Sequence, residues 1–235
     1  MKKLFTAVLI MLTATAFARG PKNQYVRITT SYGSCIIRLY NETPKHRDNF
    51  IKLVKQGFYN GTLFHRVIQN FMIQGGDPDS KDSTKAKPGA ELGNGDVGYT
   101  VPAEFRDSLF HKRGVLAAAR DDNPAKASSG CQFYIVEGRR FTDGKLDTLE
   151  NTRLKGRKIP AWQREYYESV GGAPHLDQNY TVYGEVVSGI DMIDRIAAVK
   201  TDKNDRPLAD VPMTITLLSK KECKQLDAIL YPESY

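Results

Sequence analysis

The sequence predicts an all-β-dominated domain, a closed eight-stranded antiparallel β-barrel capped by two α-helices, with a helical insertion. Three observations carry that expectation. Eight short runs rich in Val, Ile, Thr and aromatic residues are separated by turn residues. Two other stretches repeat apolar residues at helical spacing between start and stop signals. One stretch, 142–171, breaks the rhythm with dense Lys, Arg, Asp and Glu. With 235 residues, 40% hydrophobic and 26% charged, the composition is that of an ordinary globular chain and excludes disorder, collagen-like repeats and a polytopic membrane protein.

Residues 1–18 read as a secretory signal peptide. Met1-Lys2-Lys3 is a cationic start, Leu4 to Leu12 is apolar apart from Thr6, and Ala16-Phe17-Ala18 is a small-x-small cleavage site. A spanning helix needs about 20 apolar residues, so no stable membrane anchor is expected. Cleavage would remove Lys2 and Lys3 and lower the net charge from +7 to +5. That excess is spread along the chain without a basic run, which argues against a nucleic-acid surface. Export, to the periplasm or outside the cell, would permit disulfides, but Cys35, Cys131 and Cys223 leave one thiol over. Cys35 and Cys131 lie in strand-like runs and suit small buried hydrophobes. The cysteines and four histidines show no zinc spacing, and neither metal nor cofactor is expected.

After a short linker, 19–24, Gln24–Thr30 and Cys35–Tyr40 form a hairpin about Ser31-Tyr32-Gly33-Ser34. A helix follows, with Thr43 as N-cap, Pro44 at its first position, Phe50, Leu53 and Val54 on one face, and Gly57 past its end. Strands are expected at Leu63–Val67, Phe71–Gln74, Val115–Ala119, Gln132–Val136, Thr181–Val186 and Met213–Leu218. A second helix runs from Gly189 to Ala198 behind Ser188 as N-cap, with Ile190, Ile193, Ile196 and Ala197 on one face. In the insertion, Pro160 and Gly171-Gly172 bracket a helix over 161–170. The insertion is either a flap beside a binding groove or a solvated appendage. Residues 221–235 are left as a tail.

Gly93-Asn94-Gly95-Asp96-Val97-Gly98 spells the dinucleotide fingerprint, yet Pro102 blocks the helix that would hold a pyrophosphate, and a flexible loop is expected. No G-x-S-x-G elbow supports a hydrolase, and His65, His111 and His175 read as packing or surface histidines. Phe64-His65-Arg66-Val67-Ile68-Gln69-Asn70-Phe71-Met72-Ile73-Gln74-Gly75-Gly76-Asp77 is more informative, because a guanidinium is costly to desolvate among Phe, Met and Ile. Alternation puts Met72 and Gln74 on one face, Phe71 and Ile73 on the other. A surface arginine covering apolar area with its stem is the alternative.

That stretch resembles the signature of the cyclophilins, barrel-type peptidyl-prolyl cis-trans isomerases. Further segments agree in order: Ala103-Glu104-Phe105, His111 to Arg120, Ser129 to Ile135, Leu176-Asp177 and Thr181 to Val186. The resemblance covers residues 25–220 apart from 142–171. It implies that Arg66 is the catalytic arginine with Gln74 as its hydrogen-bonding neighbour, that Phe71, Met72, Tyr134 and Leu176 wall a proline pocket, and that Ala119, Arg120 and Gln132 line the groove for the peptide backbone. Gln132 and Tyr134 share a face by alternation, with Phe133 and Ile135 turned into the barrel. His175 stands where many eukaryotic members carry tryptophan and Tyr180 where they carry histidine, as in bacterial members, while Arg120 replaces a common asparagine. Without the indole donor, weak cyclosporin binding is expected, a point a nanomolar titration would contradict. The implied partners are proline-containing segments of unfolded or folding exported proteins, and the implied state is a monomer. A barrel that only holds such segments without catalysis is the rival expectation.

Overall fold

The computed structural model describes residues 23–232; the expected signal peptide and residues 19–22 of the linker lie outside the described residues. Alternating apolar residues form strands β1 (Gln24–Thr30) and β2 (Gly33–Leu39), joined by a tight turn as the hairpin signal predicts. Helix α1 (Pro44–Lys55) starts at its proline and buries Phe50, Leu53 and Val54. Its cap differs from expectation: the Thr43 side chain makes no capping bond, and the Glu104 carboxylate accepts from Lys45 N at 3.1 Å and His46 N at 3.0 Å instead. A carboxylate satisfies the orphan amides and complements the helix dipole together.

Strands β3 (Phe64–Ile68) and β4 (Met72–Gly75) form the signature hairpin. The two-residue strands β5 (Thr100–Val101) and β7 (Ser128–Ser129) pair with each other and were not anticipated. Strands β6 (Val115–Ala118), β8 (Phe133–Val136), β9 (Val182–Ser188) and β10 (Thr214–Leu217) complete an antiparallel sheet in the order β10-β1-β2-β9-β6-β8-β4-β3. The sheet curls but does not close into the expected barrel. Its edge strands β3 and β10 share no ladder; they are linked where they begin by the Leu63–Pro212 bridge, with Phe64 N to Val211 O at 3.0 Å, Met213 N to Thr62 O at 2.9 Å and Gly61 N to Met213 O at 2.9 Å. Further along β3, Val67 N donates to Asp205 O at 2.8 Å, so that edge is engaged by the loop at Asp205 and not by β10.

Strand alternation sorts side chains onto two faces. One carries Ile28, Ile37, Ile73, Leu116, Phe133 and Ile135, packed with α1 and with Met192, Ile193 and Ile196 of helix α4 (Ile190–Ala197). The other carries Met72, Val115, Ala117, Ala119, Tyr134, Val136 and Val182. Gly189, left-handed at φ 78°, takes the N-cap position assigned to Ser188, which ends β9; a Cβ at Gly189 would collide with the Ser34 carbonyl.

The insertion holds two helices, α2 (Asp143–Thr152), which was not predicted, and α3 (Ala161–Ser169). Leu146, Leu154, Ile159 and Tyr167 pack with Phe110 and Phe141 into a core of their own. Arg164 bridges Asp143, Asp147 and Glu150, so part of the dense charge is paired within the insertion. The expected tail contains helix α5 (Lys220–Leu230), started by a Ser219–Glu222 capping box. Its Asp227 accepts from the Tyr25 hydroxyl at 2.6 Å, docking the helix on β1.

Candidate active site

On the second face, a pocket of about 180 Å³ is lined by Arg66, Phe71, Met72, Gln74, Ala119, Arg120, Tyr134, Leu176 and Tyr180. At ~30 Å³ per water it has room for about six waters, enough for a five-membered ring and its flanking amide. Hairpin β3–β4 supplies the first four residues, the end of β6 and its exit the next two, β8 Tyr134, and the turn before β9 the last two. Phe71 is not on the Ile73 face as alternation predicted. It precedes β4, just after Asn70 at φ 61°, and this left-handed turn lays it beside Met72 against the pocket cluster. His175 tilts over it with ring centroids 5.3 Å apart.

Arg66 sits at the rim, its side chain 44% exposed, with Nε 3.6 Å from Asp205 Oδ2. Gln74 lies opposite it in the β3–β4 register, but the expected Arg66–Gln74 hydrogen bond is not formed. Gln74 is bonded to Gln132 instead. Gln132 Nε2 donates to Gly93 O at 2.8 Å and Gly95 O at 2.9 Å, leaving Oε1 to accept from Gln74 Nε2 at 3.2 Å. Gln132 therefore supports the pocket from behind and is absent from its lining. The glycine stretch 93–98, expected to be a free loop, is docked here, and the buried Asp77 carboxylate accepts from Gly93 N.

Arg120 is fixed by bonds from Nε to Asn179 O at 2.8 Å and from Nη1 to Asp121 O at 3.0 Å, with its guanidinium 4.8 Å from the Tyr180 ring centroid. Tyr180 meets Tyr134 edge-on at 5.9 Å. Burial drives the Tyr134 hydroxyl well above the usual phenol range, so it stays protonated. Burial also pulls the imidazoles of His65 and His175 down to about 4, helped at His175 by Arg153; both are neutral at pH 7. His65 matches its expected packing role, although neither of its ring nitrogens finds a partner.

Sequence spacing offered no nucleophile, yet Glu104, His46 and Ser128 line up: His46 Nδ1 is 2.8 Å from Glu104 Oε2 and its Nε2 3.0 Å from Ser128 Oγ. All three are buried, and the adjoining cavity of about 10 Å³ holds no more than a water. The trio ties α1 to β7 and has no room for an acyl substrate. The cysteines are equally quiet: burial raises the thiols of Cys35 to about 12 and Cys131 to about 11. Asp205 and the partners of Tyr134 were missed by sequence reasoning, because their roles arise from loops that meet only in the fold.

The model of the cyclophilin type peptidyl-prolyl cis-trans isomerase/CLD family matches residues 25–217. The chain belongs to the cyclophilin-type isomerase family. A Streptococcus pyogenes protein named for both a phosphatase and a peptidyl-prolyl cis-trans isomerase is 35% identical over 82% of this chain and 37% of its own length. Peptidyl-prolyl cis-trans isomerase-like 2 of Rhizopus delemar is 32% identical over 88% of this chain and 31% of its own. This chain thus spans about a third of either relative. A Staphylococcus saprophyticus protein named for the isomerase activity alone is 34% identical, with 77% of this chain matched to 85% of that one. Among solved structures, a cyclophilin-type isomerase of Cryptosporidium parvum superposes with a TM-score of 0.60 at 24% identity, covering 84% of this chain and 99% of that one, which shows the shared cyclophilin fold.

Proposed function

We propose that this cyclophilin-family chain accelerates rotation about Xaa-Pro bonds in exported polypeptides, with Arg66 as the catalytic group. The observation carrying this reading is a guanidinium at the rim of a ring-sized pocket walled in part by Phe71, Met72, Tyr134 and Leu176. The prolyl amide resists rotation because its nitrogen lone pair is delocalised into the carbonyl, a barrier of about 18–20 kcal/mol. As the bond twists, the lone pair localises and the nitrogen becomes a hydrogen-bond acceptor. A donor aimed there is bonded more strongly in the transition state than in either isomer. Asp205 engages the Nε side of Arg66, and its Nη groups have no hydrogen-bond partner among the described residues. Phe71, Met72, Tyr134 and Leu176 hold the ring and exclude water, which strengthens a charge-assisted bond. A ten-thousand-fold acceleration would require about 5.4 kcal/mol, at ~1.36 kcal/mol per factor of ten. The bond from the cation, made fully only to the twisted amide, is the part of the site that lowers this barrier, while ring fixation holds the substrate for it. Rotation makes and breaks no covalent bond, so the chemistry requires neither electron transfer nor a Lewis acid.

Export to the periplasm or beyond is supported by the cationic start, apolar run and Ala16-Phe17-Ala18 site of residues 1–18. Unfolded or folding exported chains are the corresponding substrates of a monomeric enzyme. A protease-coupled assay on a proline peptide, with the mature chain and its Arg66→Ala variant, tests this proposal. Turnover by the first and its near loss in the folded second is expected. Equal turnover by both would reject Arg66, and binding without turnover by either would make the chain a holdase.

A further inference from the structure

The pocket floor is connected to the insertion by a continuous line of buried polar groups. Tyr134 packs its ring parallel to His111, 15° apart, and its hydroxyl lies 2.8 Å from His111 Nε2. His111 Nδ1 lies 2.8 Å from Asp177 Oδ1, which also accepts from His111 N at 2.8 Å. On its far oxygen, Asp177 accepts from the Tyr167 hydroxyl at 2.6 Å. All four residues are less than 5% exposed.

The donor account has one consistent solution for a neutral His111 ring. A carboxylate only accepts, so Tyr167 and His111 Nδ1 donate to Asp177, and His111 Nε2 is left to accept from Tyr134. Burial, reinforced by Asp177, keeps Tyr167 protonated. Whichever partner donates, the Tyr134 hydroxyl is held by His111 Nε2, and the pocket faces an aromatic ring kept at a fixed angle. Asp177 directly follows Leu176, another pocket wall.

Tyr167 belongs to α3, inside the insertion. Its ring packs closely on Gly172, where a Cβ would stand 2.7 Å from Tyr167 Cε1 and would collide with the His111 carbonyl. The insertion grips Asp177 a second time, through Arg157 Nη2 to Asp177 O at 3.2 Å. A solvated appendage would not carry a buried bond to the residue that adjoins a pocket wall.

We propose that Tyr167 is a positioning residue of the proline pocket, through which the insertion sets Asp177, His111 and the angle of the Tyr134 floor. The proposal rests on this pocket being the isomerase site. Ring fixation acts on both isomers and on the twisted state alike, so its loss appears in KM. In the full mature chain, Tyr167→Phe is expected to raise KM at least threefold while kcat stays within twofold. Glu168→Ala, exposed on the same helix, is expected to change neither. In a Tyr134→Phe background, which removes the far end of the line, Tyr167→Phe is expected to add no further KM effect. The ¹⁵N resonances of the His111 ring are expected to move in Tyr167→Phe, a readout independent of turnover. If the mature chain lacked isomerase activity, the functional reading would fail, and those resonances would still decide whether Tyr167 sets the line. Where Tyr167→Phe does not fold, Arg157→Ala carries the same test. An unchanged KM with unmoved His111 resonances, whatever happens to the melting temperature, would overturn the proposal.

Discussion

Asp205 is the ion-pair partner of Arg66, the proposed catalytic group, and Asp205→Asn isolates it. Asp205 is left-handed at φ 62°, a conformation Asn tolerates well. Its backbone is held independently of its side chain: Val67 N donates to Asp205 O at 2.8 Å, Thr201 and Pro207 form a bridge, and Asp202 Oδ1 accepts from Asn204 N at 2.8 Å and Arg206 N at 3.0 Å. The buried Arg206 next to it anchors the loop by donating to Lys87 O and Ala90 O, each at 2.8 Å. The substitution therefore removes a charge and leaves the geometry. Two unit charges 3.6 Å apart attract by about 1 kcal/mol in water and about 5 kcal/mol at an effective dielectric of 20. With the two side chains 44% and 42% exposed, the aqueous figure governs. Losing an orienting interaction of about 1 kcal/mol corresponds to a fall of about fivefold in kcat/KM, read in a protease-coupled proline-peptide assay, with the melting temperature unchanged. The gap between wild type and variant should narrow in high salt. A kcat/KM that is unchanged or higher in the variant would show that Asp205 does not orient Arg66.

Two further outcomes follow from the same geometry. Gln132→Glu would turn a carboxylate oxygen toward the Gly93 and Gly95 carbonyls that now accept from the amide; a stability loss of about 2–3 kcal/mol in denaturant titration and a weakened kcat/KM are expected, and an unaltered midpoint would contradict the docking of the glycine loop. His65, held to about 4 in the fold by burial against about 6.5 in an unfolded chain, binds its proton more readily when unfolded. Stability is therefore full above pH 6.5 and declines as pH falls toward 4, by about 3 kcal/mol for this group; His65→Gln should flatten that decline, and an identical pH profile would refute it.

Periodicity and turn chemistry made most of the architecture legible. Pro44 and Gly57 bracket α1 as expected, and the alternation of Phe133, Tyr134, Ile135 and Val136 divides the two faces of β8 as predicted. Closure was not legible, because it depends on how the segments before β3 and β10 meet and on the distant Asp205 loop that takes the β3 edge at Val67. Helix α5 was missed although Ser219 and Glu222 spell a capping box, since its face is mostly polar and only Asp227 is buried. All nine pocket-lining residues were named from the family resemblance, and the pocket unites them. Gln74, Gln132 and Phe71 show the limit of that reasoning: register places residues opposite each other, but the choice of hydrogen-bond partner and the direction of a turn side chain depend on loops distant in sequence. Tyr167 lies in a segment outside the resemblance, and nothing local marks it for Asp177.

Line-shape NMR on a proline peptide measures the affinity of each isomer and the catalysed exchange rate in one sample. If Arg66 favours the twisted amide over both planar forms, a folded Arg66→Gln variant binds cis and trans peptide within about twofold of wild type while exchange slows by about a hundredfold or more, ~2.7 kcal/mol. Exchange that persists, or that declines only in proportion to lost binding, would contradict selective stabilisation of the rotating bond.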